Sequence, residues 1–144
     1  MGAVFFSRTS LSSSGDGDIF VWNLSSSGNS RWVVKAGGTS SDYGNGIAID
    51  SSGYAYVTGY FSGNATFAGA SLSSSGSGDI FIAKLSSSGY WQWAAGRGAS
   101  STDYGIGIDV DTSGNIYVTG RFMGSVFFNP TSLTSSGDGD IFVW

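Results

Sequence analysis

Hydrophobic and polar residues alternate along this chain in short runs, which are separated by clusters of serine and glycine. The stretch DYGNGIAIDSSGYAYVTG, at residues 42–59, has two such runs on either side of a Ser-Ser-Gly turn. Short runs rich in valine, isoleucine, tyrosine and threonine are typical of β-strands, and the turn joins them into a hairpin. No run keeps the helical period of about 3.6 residues over ten or more positions, so we expect essentially no helix.

The hairpin returns 61 residues later as DYGIGIDVDTSGNIYVTG, at residues 103–120. With that shift, residues 2–62 align with residues 63–123 without a gap, and 33 of the 61 positions are identical. Residues 124–144 begin a third copy. A fixed period of this length indicates a repeat protein in which each copy is one small structural unit.

The strand predicted at residues 18–24, DIFVWNL, is apolar on both of its faces. Ile19 and Val21 point to one side, while Phe20 and Trp22 point to the other. Strands with this pattern are covered on both sides, as they are in the stacked blades of a β-propeller. The predicted fold class is therefore all-β, with four-stranded antiparallel propeller blades and a 61-residue repeat; a β-solenoid is the alternative.

Four strands per repeat are predicted for a blade, and the middle one is complete. They lie at residues 46–50, 54–60, 79–85 and 91–95, with the short run at 65–67 in the connection between the second and third strands. Three segments follow from this division: a partial blade of outer strands at 1–41, a complete blade at 42–98, and a partial blade lacking its last strand at 99–144. The chain holds about 2.4 units (144/61), whereas a closed propeller needs at least about four blades, so a monomer is predicted to be incomplete.

A longer motif carries a family resemblance. The pattern DYGxGIxxDxSGxxYVTG is followed by GDIFIAKLSSSG at residues 78–89 and then by a strand with Trp91 and Trp93. This combination resembles the bacterial β-propeller repeats called SBBP repeats, and the resemblance covers the whole chain. It implies a propeller fold and an extracellular or cell-surface location, and it implies no particular activity. The first residues, MGAVFFSRTS, lack the basic region and apolar core of a signal peptide.

Composition argues against several functional classes. The net charge is −4 and no basic stripe exists, so we expect no nucleic-acid partner. No stretch approaches the roughly 20 apolar residues of a membrane helix, so we expect no membrane insertion. The chain has neither histidine nor cysteine, which removes the usual general base, metal ligands and serine-activating groups. We therefore expect no enzyme activity, no catalytic residue, no cofactor and no metal.

Several aspartates occupy positions that invite a functional interpretation, yet a structural role is favoured for each. Asp109 and Asp111 alternate like calcium ligands, but the twelfth position of that loop is Gly120 instead of glutamate. Asp42 and Asp103 open the hairpin in each repeat, and we expect them to serve blade contacts and hydrogen bonds because the same position recurs in every blade.

Apolar residues near both ends are predicted to be edges for self-association, since a complete blade would cover them. They are Val4, Phe5, Phe6, Ile141, Phe142, Val143 and Trp144. The predicted partner is another copy of the chain, in a head-to-tail ring or filament, or the remainder of a longer repeat array.

The predicted function is accordingly a non-enzymatic, extracellular structural module that self-assembles. The alternative is a carbohydrate-binding propeller with a glycan as its ligand. In that case Trp32, Trp91 and Trp93 would stack on sugar rings, whereas in the structural interpretation the same side chains pack on the next blade.

Overall fold

The computed structural model of the chain describes residues 3–6 and 9–144, so residues 1–2 and 7–8 of the first predicted segment lie outside the described residues. The described part consists of fifteen β-strands joined by turns and contains no helix. In chain order the strands are β1 (Ala3–Phe6), β2 (Thr9–Ser12), β3 (Ile19–Leu24), β4 (Ser30–Gly38), β5 (Tyr43–Ile49), β6 (Ala55–Phe61), β7 (Asn64–Phe67), β8 (Ala70–Ser73), β9 (Asp79–Leu85), β10 (Trp91–Arg97), β11 (Tyr104–Val110), β12 (Ile116–Phe122), β13 (Ser125–Phe128), β14 (Thr131–Thr134) and β15 (Asp140–Val143). The all-β prediction is confirmed. Within the described part, there is no helix long and apolar enough to cross a membrane.

The middle sheet contains four antiparallel strands in the order β5-β6-β9-β10. Its inner hairpin, β5–β6, is closed by the turn at residues 50–53, where the amide of Gly53 donates to the carbonyl of Asp50 at 2.9 Å. Gly53 has a φ of 82°, a left-handed conformation that glycine adopts at little cost. The predicted four-stranded antiparallel blade is confirmed by this sheet.

The glycine of the Val-Thr-Gly motif is required by a close backbone approach in the hairpin. The register of β5 and β6 shifts between Gly44 and Gly46, which marks a β-bulge. At that level, a Cβ atom on Gly59 would lie 1.8 Å from the carbonyl oxygen of Tyr43. Gly120 meets the carbonyl of Tyr104 in the same way at 1.9 Å, so both copies need glycine here.

The first and third sheets contain fewer blade strands than the middle one. The first sheet pairs β3 with β4, and these strands correspond to β9 and β10 of the middle sheet. The third sheet has the order β11-β12-β15, which corresponds to β5, β6 and β9. Within the described residues, no strand pairs with the inner edge of β3 or with the outer edge of β15.

Each repeat also carries a small hairpin in the connection between its second and third blade strands: β1–β2, β7–β8 and β13–β14. The β7–β8 hairpin reaches the neighbouring sheet, because β7 pairs with the end of β4 through Gly37 and Gly38. The first strand of each hairpin was predicted from the sequence as a short apolar run. The second strand was not, because sequences such as TSLS have one apolar residue and resemble a turn.

Two apolar cores lie between the sheets. The first junction, between the first and middle sheets, joins Ile19 and Val21 to Val57 and Phe81. The second junction, between the middle and third sheets, is built from the residues Ile80, Ile82, Val118, Phe122, Val126, Phe128 and Phe142. Successive residues of β9 thus face opposite junctions, as the alternation of a strand requires.

The prediction that such strands are covered on both faces holds for β9 but not for β3. In β9, Ile80 and Phe81 are both fully buried. In β3, Ile19 is buried at 2% exposure while Phe20 is 57% exposed. The prediction fails for β3 because, among the described residues, only Phe6 of the small β1–β2 hairpin packs on the side to which Phe20 points, and no blade sheet covers it.

Candidate functional site

Each junction contains a buried aspartate from the Asp-Tyr-Gly motif. At the second junction, Asp103 is fully buried. Its Oδ2 accepts a hydrogen bond from the amide of Ala99 at 2.8 Å, and its Oδ1 accepts one from the amide of Met123 at 2.8 Å. Asp42 accepts the equivalent bonds at the first junction, from two backbone amides at 2.7 and 3.2 Å. Each carboxylate therefore ties the segment that enters an inner hairpin to the segment that leaves it.

The same aspartates connect neighbouring sheets through their own backbone. The amide of Asp103 donates to the carbonyl of Gly78 in the middle sheet's loop at 2.9 Å. The amide of Asp42 donates to the carbonyl of Gly17 at 2.8 Å. Both residues of this bond lie 61 positions before their equivalents, Asp103 and Gly78. These bonds make the Asp-Tyr-Gly motif a junction element.

A second buried carboxylate, Asp79, lies beside Asp103. Its Oδ2 accepts a hydrogen bond from the amide of Ser75 at 3.0 Å, whereas its Oδ1 has no hydrogen-bond partner among the described residues. Burial raises the pKa of Asp79, and the charge of Asp103 raises it further. Burial likewise raises the pKa of Asp103 and of Asp42. The charged forms of these carboxyls are therefore disfavoured inside the junctions.

The aspartates of the hairpin turns, in contrast, are bonded to the turns themselves. The Oδ1 atom of Asp111 accepts hydrogen bonds from the amides of Ser113 at 2.9 Å and Asn115 at 2.8 Å. Its Oδ2 accepts one from the side-chain amide of Asn115 at 2.7 Å, and this bond, with the backbone bonds, lowers the pKa of Asp111. Asp50 accepts the same pair of backbone bonds in the first copy. These carboxylates therefore hold the turns, as the sequence interpretation favoured.

The tyrosine of the motif takes part in an aromatic ladder across the second junction. Tyr43 stacks on Tyr60 with ring centres 4.9 Å apart, and Tyr60 meets the ring of Tyr104 edge-on at 4.8 Å. Next to this ladder, the side-chain amide of Asn45 donates to the carbonyl of Gly105 at 2.8 Å. Sequence reasoning had not singled out Tyr60 or Asn45, because neither is repeated in the next copy.

Comparison with protein families now places these repeats. The model of the SBBP beta-propeller repeat matches residues 31–64 and residues 92–121. The two matched segments are SBBP beta-propeller repeats. The two matches begin 61 positions apart (92 − 31), which is the period of the chain. Each runs from the outer strand of one sheet through the inner hairpin of the next, so each matched unit spans a junction. A search of curated proteins finds no match to the chain.

The three tryptophans that were considered as sugar platforms have different environments in the SBBP repeats. The indole Nε1 of Trp32 donates to the carbonyl of Ser87 at 2.9 Å, and its ring lies against Gly89. The indole of Trp91 donates to a backbone carbonyl of the first sheet at 3.1 Å. Both side chains thus bridge the first junction. Trp93, which is 38% exposed, is the more open of these indoles.

Trp93 borders a groove of about 300 Å³ at the second junction. The groove is lined by Ile82, Trp93, Ala95, Arg97, Ile116 and Trp144. In the repeat, Trp93 corresponds to Trp32 (32 + 61 = 93), whose ring is covered by the turn between β9 and β10. Among the described residues, no such turn follows β15, so the equivalent contact of Trp93 is not made.

The residues predicted as association edges fall into two groups. Four are well exposed, at 59 to 86%: Val4, Phe5, Ile141 and Val143. Three are buried or half-buried against aromatic neighbours: Phe6, Phe142 and Trp144. Their role in association stays a prediction.

Two exposed faces are defined by comparison with the middle sheet. The front face consists of Phe20, Trp22 and Leu24 on β3, which are 57, 40 and 43% exposed. The rear face consists of Tyr117, Thr119, Ile141 and Val143 on β12 and β15, which are all exposed. The corresponding residues of the middle sheet, 61 positions away, are all buried: Phe81, Ala83, Leu85, Tyr56, Thr58, Ile80 and Ile82.

Proposed function

We propose that this chain is a non-enzymatic, extracellular structural module whose SBBP repeats associate face to face with the repeats of further copies. The observation that carries the proposal is the exposure of the front and rear faces, because the same repeat positions are buried in the middle sheet. Phe20 is 57% exposed and its counterpart Phe81 is 0% exposed. Covering one such side chain is worth about 1.5–3 kcal/mol, so several together supply a substantial driving force.

The two faces are complementary, because they are the two sides of one kind of junction. At the second junction, Ile80 and Ile82 of the middle sheet pack with Phe142 of the third. Ile80 and Ile82 correspond to rear-face residues, whereas Phe142 corresponds to Phe20 of the front face. The front face of one copy therefore fits the rear end of another. This arrangement is head-to-tail, and it closes into a ring or continues as a filament.

The side chains of the front and rear faces support a structural role. The front and rear faces are made of aromatic, aliphatic and hydroxyl side chains, and they carry no charged residue. The buried aspartates are bonded to backbone amides of the junctions. The extracellular location is what the family resemblance implies.

Sedimentation over a wide concentration range tests the proposal. The mass is expected to rise above that of one 14.8 kDa chain towards a whole multiple of it. Phe20→Asp should return the protein to monomers, since it places a charge in the front face. Tyr90→Asp is the matched control, because Tyr90 is 72% exposed in a turn outside both faces and its replacement should leave the mass unchanged. A folded monomer at every concentration would refute the proposal.

Carbohydrate binding is the second candidate, and the open indole of Trp93 favours it. Trp93 and Arg97 line the same groove, and an exposed indole beside a polar side chain is a usual sugar platform. Titration with a panel of sugars, followed by tryptophan fluorescence, tests this role. A saturable fluorescence change that disappears in Trp93→Ala and persists in Trp32→Ala would support this role. An undiminished fluorescence change in Trp93→Ala would reject it.

A further inference from the structure

The segment that forms the last part of the third sheet is nearly a copy of the segment that leads into the first sheet. Residues 124–144 align with residues 2–22 at a shift of 122, and 17 of the 21 positions are identical. The sequence SSGDGDIFVW is the same at residues 13–22 and 135–144. Within the described residues, β3 and β15 thus carry the same side chains in the same order.

The two segments also share their internal packing. The ring of Phe6 lies 5.4 Å from that of Phe20, and the equivalent ring of Phe128 lies 4.9 Å from that of Phe142. Phe6 also contacts Trp22 at 5.0 Å, as Phe128 contacts Trp144 at 5.4 Å. The hairpin and strand that precede β4 are therefore already arranged as the third sheet requires.

What distinguishes the segments is the strand that follows. β3 continues into β4 and pairs with it from Ile19 to Leu24. β15 pairs with β12 over four positions, and its outer edge has no partner among the described residues. In the middle sheet the corresponding strand, β9, pairs over seven positions with β6 and also with β10. The third sheet is therefore the least completely paired of the blade sheets that contain an inner hairpin.

The groove at Trp93 has the shape to receive a turn like the one that covers Trp32, and an equivalent turn lies elsewhere in the chain. Trp32 contacts the carbonyl of Ser87 and the backbone of Gly89, which lie in the turn between β9 and β10. The positions 61 residues earlier, Ser26 and Gly28, lie in the turn between β3 and β4. Gly28 has a φ of 79° against 82° for Gly89, and the amide of each glycine donates to the carbonyl three residues earlier at 2.9 Å, so the two turns have the same conformation. Among the described residues, nothing lies within 4 Å of a Cβ placed on Gly28.

We propose that strands β1–β4 of a second copy replace β13–β15, so that the third sheet becomes a four-stranded sheet of β11 and β12 with β3 and β4 of the second copy. This exchange rests on the proposed self-association and specifies its form: β3 of the second copy joins the third sheet, and its Ile19 and Val21 take the positions of Ile141 and Val143 in the rear face. Phe20 of the second copy takes the place of Phe142 in the second junction. The indole of Trp93 donates to the carbonyl of Ser26 of the second copy, as Trp32 donates to Ser87 within the chain.

The exchange retains the contacts of β15 and adds new ones. The incoming strand has the same sequence as the strand it replaces, so its pairing with β12 and its contact with Phe122 are reproduced, while Phe6 of the second copy takes the place of Phe128. The contact at Trp93 is an additional gain, and so is the completion of the third sheet, which receives β4 together with β3 because the two strands are already paired within the second copy. Exchange of identical elements between copies is a low-cost route to oligomers.

Opposite responses of two matched phenylalanines test the exchange. Phe142→Ala weakens the internal segment that the second copy must replace, so it should strengthen association, by about tenfold or more in the dissociation constant. Phe20→Ala removes the incoming ring and should weaken association by a similar factor. Both are measured by sedimentation after refolding at high concentration. Weakening by both variants would overturn the exchange and leave the proposed self-association standing; monomers throughout would overturn both.

Cross-linking provides a readout that does not depend on the stability of either variant. A Cβ on Gly53 would lie 3.4 Å from the Cβ of Ser87, which shows that the inner and outer turns of a complete sheet are adjacent. A Ser113→Cys copy mixed with a Ser26→Cys copy should therefore give a mixed dimer with a short bis-maleimide, in a chain that has no other cysteine. Ser52→Cys mixed with Ser26→Cys is the control, because the turn at Ser52 already lies against the β9–β10 turn of its own chain. An oligomer without the Ser113–Ser26 product would overturn the exchange.

Discussion

The middle sheet and the two end sheets have the same sequence pattern, yet they differ in the sheets that pack against them. In the middle sheet, Phe81 faces the first junction, Ile80 faces the second, and both are fully buried. In the first sheet, Phe20 is 57% exposed, and in the third sheet Ile141 is 86% exposed. The comparison shows that the sequence of each strand suits a blade with both faces covered. The burial of its side chains depends on which neighbouring sheets are present.

The two junctions, in contrast, resemble each other closely. Both contain an Asp-Tyr-Gly carboxylate that binds two backbone amides, and both contain a second aspartate next to it, Asp18 or Asp79. One carboxylate oxygen of each second aspartate is without a hydrogen-bond partner among the described residues. The polar frame of a junction is therefore fixed by the repeat, even where the apolar residues around it differ.

Truncation of one phenylalanine in each environment should give the largest contrast. Phe81→Ala leaves a cavity in the first junction and is expected to lower the free energy of unfolding by about 3–5 kcal/mol. Phe20→Ala, at the same repeat position, should cost less than about 1 kcal/mol in dilute protein, since most of the ring is already in water. Chemical denaturation at low concentration measures both. Equal losses would mean that the front face is covered even in the single chain.

Removal of the junction carboxylate should have the next largest effect. Asp103→Ala leaves two partly buried amides, those of Ala99 and Met123, without their acceptor, and each is expected to cost about 1–3 kcal/mol at most. Asp109→Ala is the control, because that side chain is exposed and should change stability by no more than about 0.5 kcal/mol. Thermal unfolding of the two variants measures the difference. Similar midpoints for both variants would argue against a structural role for Asp103.

The two equivalent tryptophans should differ by a smaller amount. Trp32→Ala removes a hydrogen bond and a packing contact across the first junction, with an expected loss of about 1–3 kcal/mol. Trp93→Ala should change the stability of dilute protein less, because its groove is open. In concentrated protein, Trp93 should also become less accessible to acrylamide quenching. Unchanged quenching in an oligomer would show that the groove stays open on association.

The buried carboxyls predict a modest dependence of stability on pH. The pKa values of Asp42, Asp79 and Asp103 are raised by burial above the ordinary value of 3.8, so the folded protein binds protons more readily than the unfolded chain. Stability is therefore expected to increase as the pH falls from neutral towards that value. Below it, Asp111, whose pKa is lowered, is protonated and stability decreases again. Melting temperatures between neutral and acid pH test this, and a steady fall from neutral pH downward would contradict it.

Much of this architecture could be predicted from the sequence, because the evidence was local and repeated. The period of 61 residues, the strand pattern and the turn at Asp50 each recur in both copies. The strands β2, β8 and β14 were missed because they contain a single leucine each, as in TSLS at Thr9–Ser12. A short, mostly polar strand cannot be distinguished from a turn by its alternation alone.

The parts of the candidate site that could not be predicted depend on contacts between repeats. The pattern places Phe20 and Phe81 at the same position and cannot tell that one is exposed and the other buried. Likewise, Trp32 and Trp93 have the same place in the repeat, but Trp32 meets a turn from the next sheet. Such differences arise from neighbours that lie 55 or more positions away in the chain.

Hydrogen exchange of β3 as a function of protein concentration tests the central claim most directly. The claim is that a second copy covers the front face and the inner edge of β3. Amides at residues 18–24 should become protected as the concentration rises, while those at residues 79–85, in the corresponding strand of the middle sheet, should stay equally protected throughout. Exchange at residues 18–24 that is equally fast at every concentration would contradict the account.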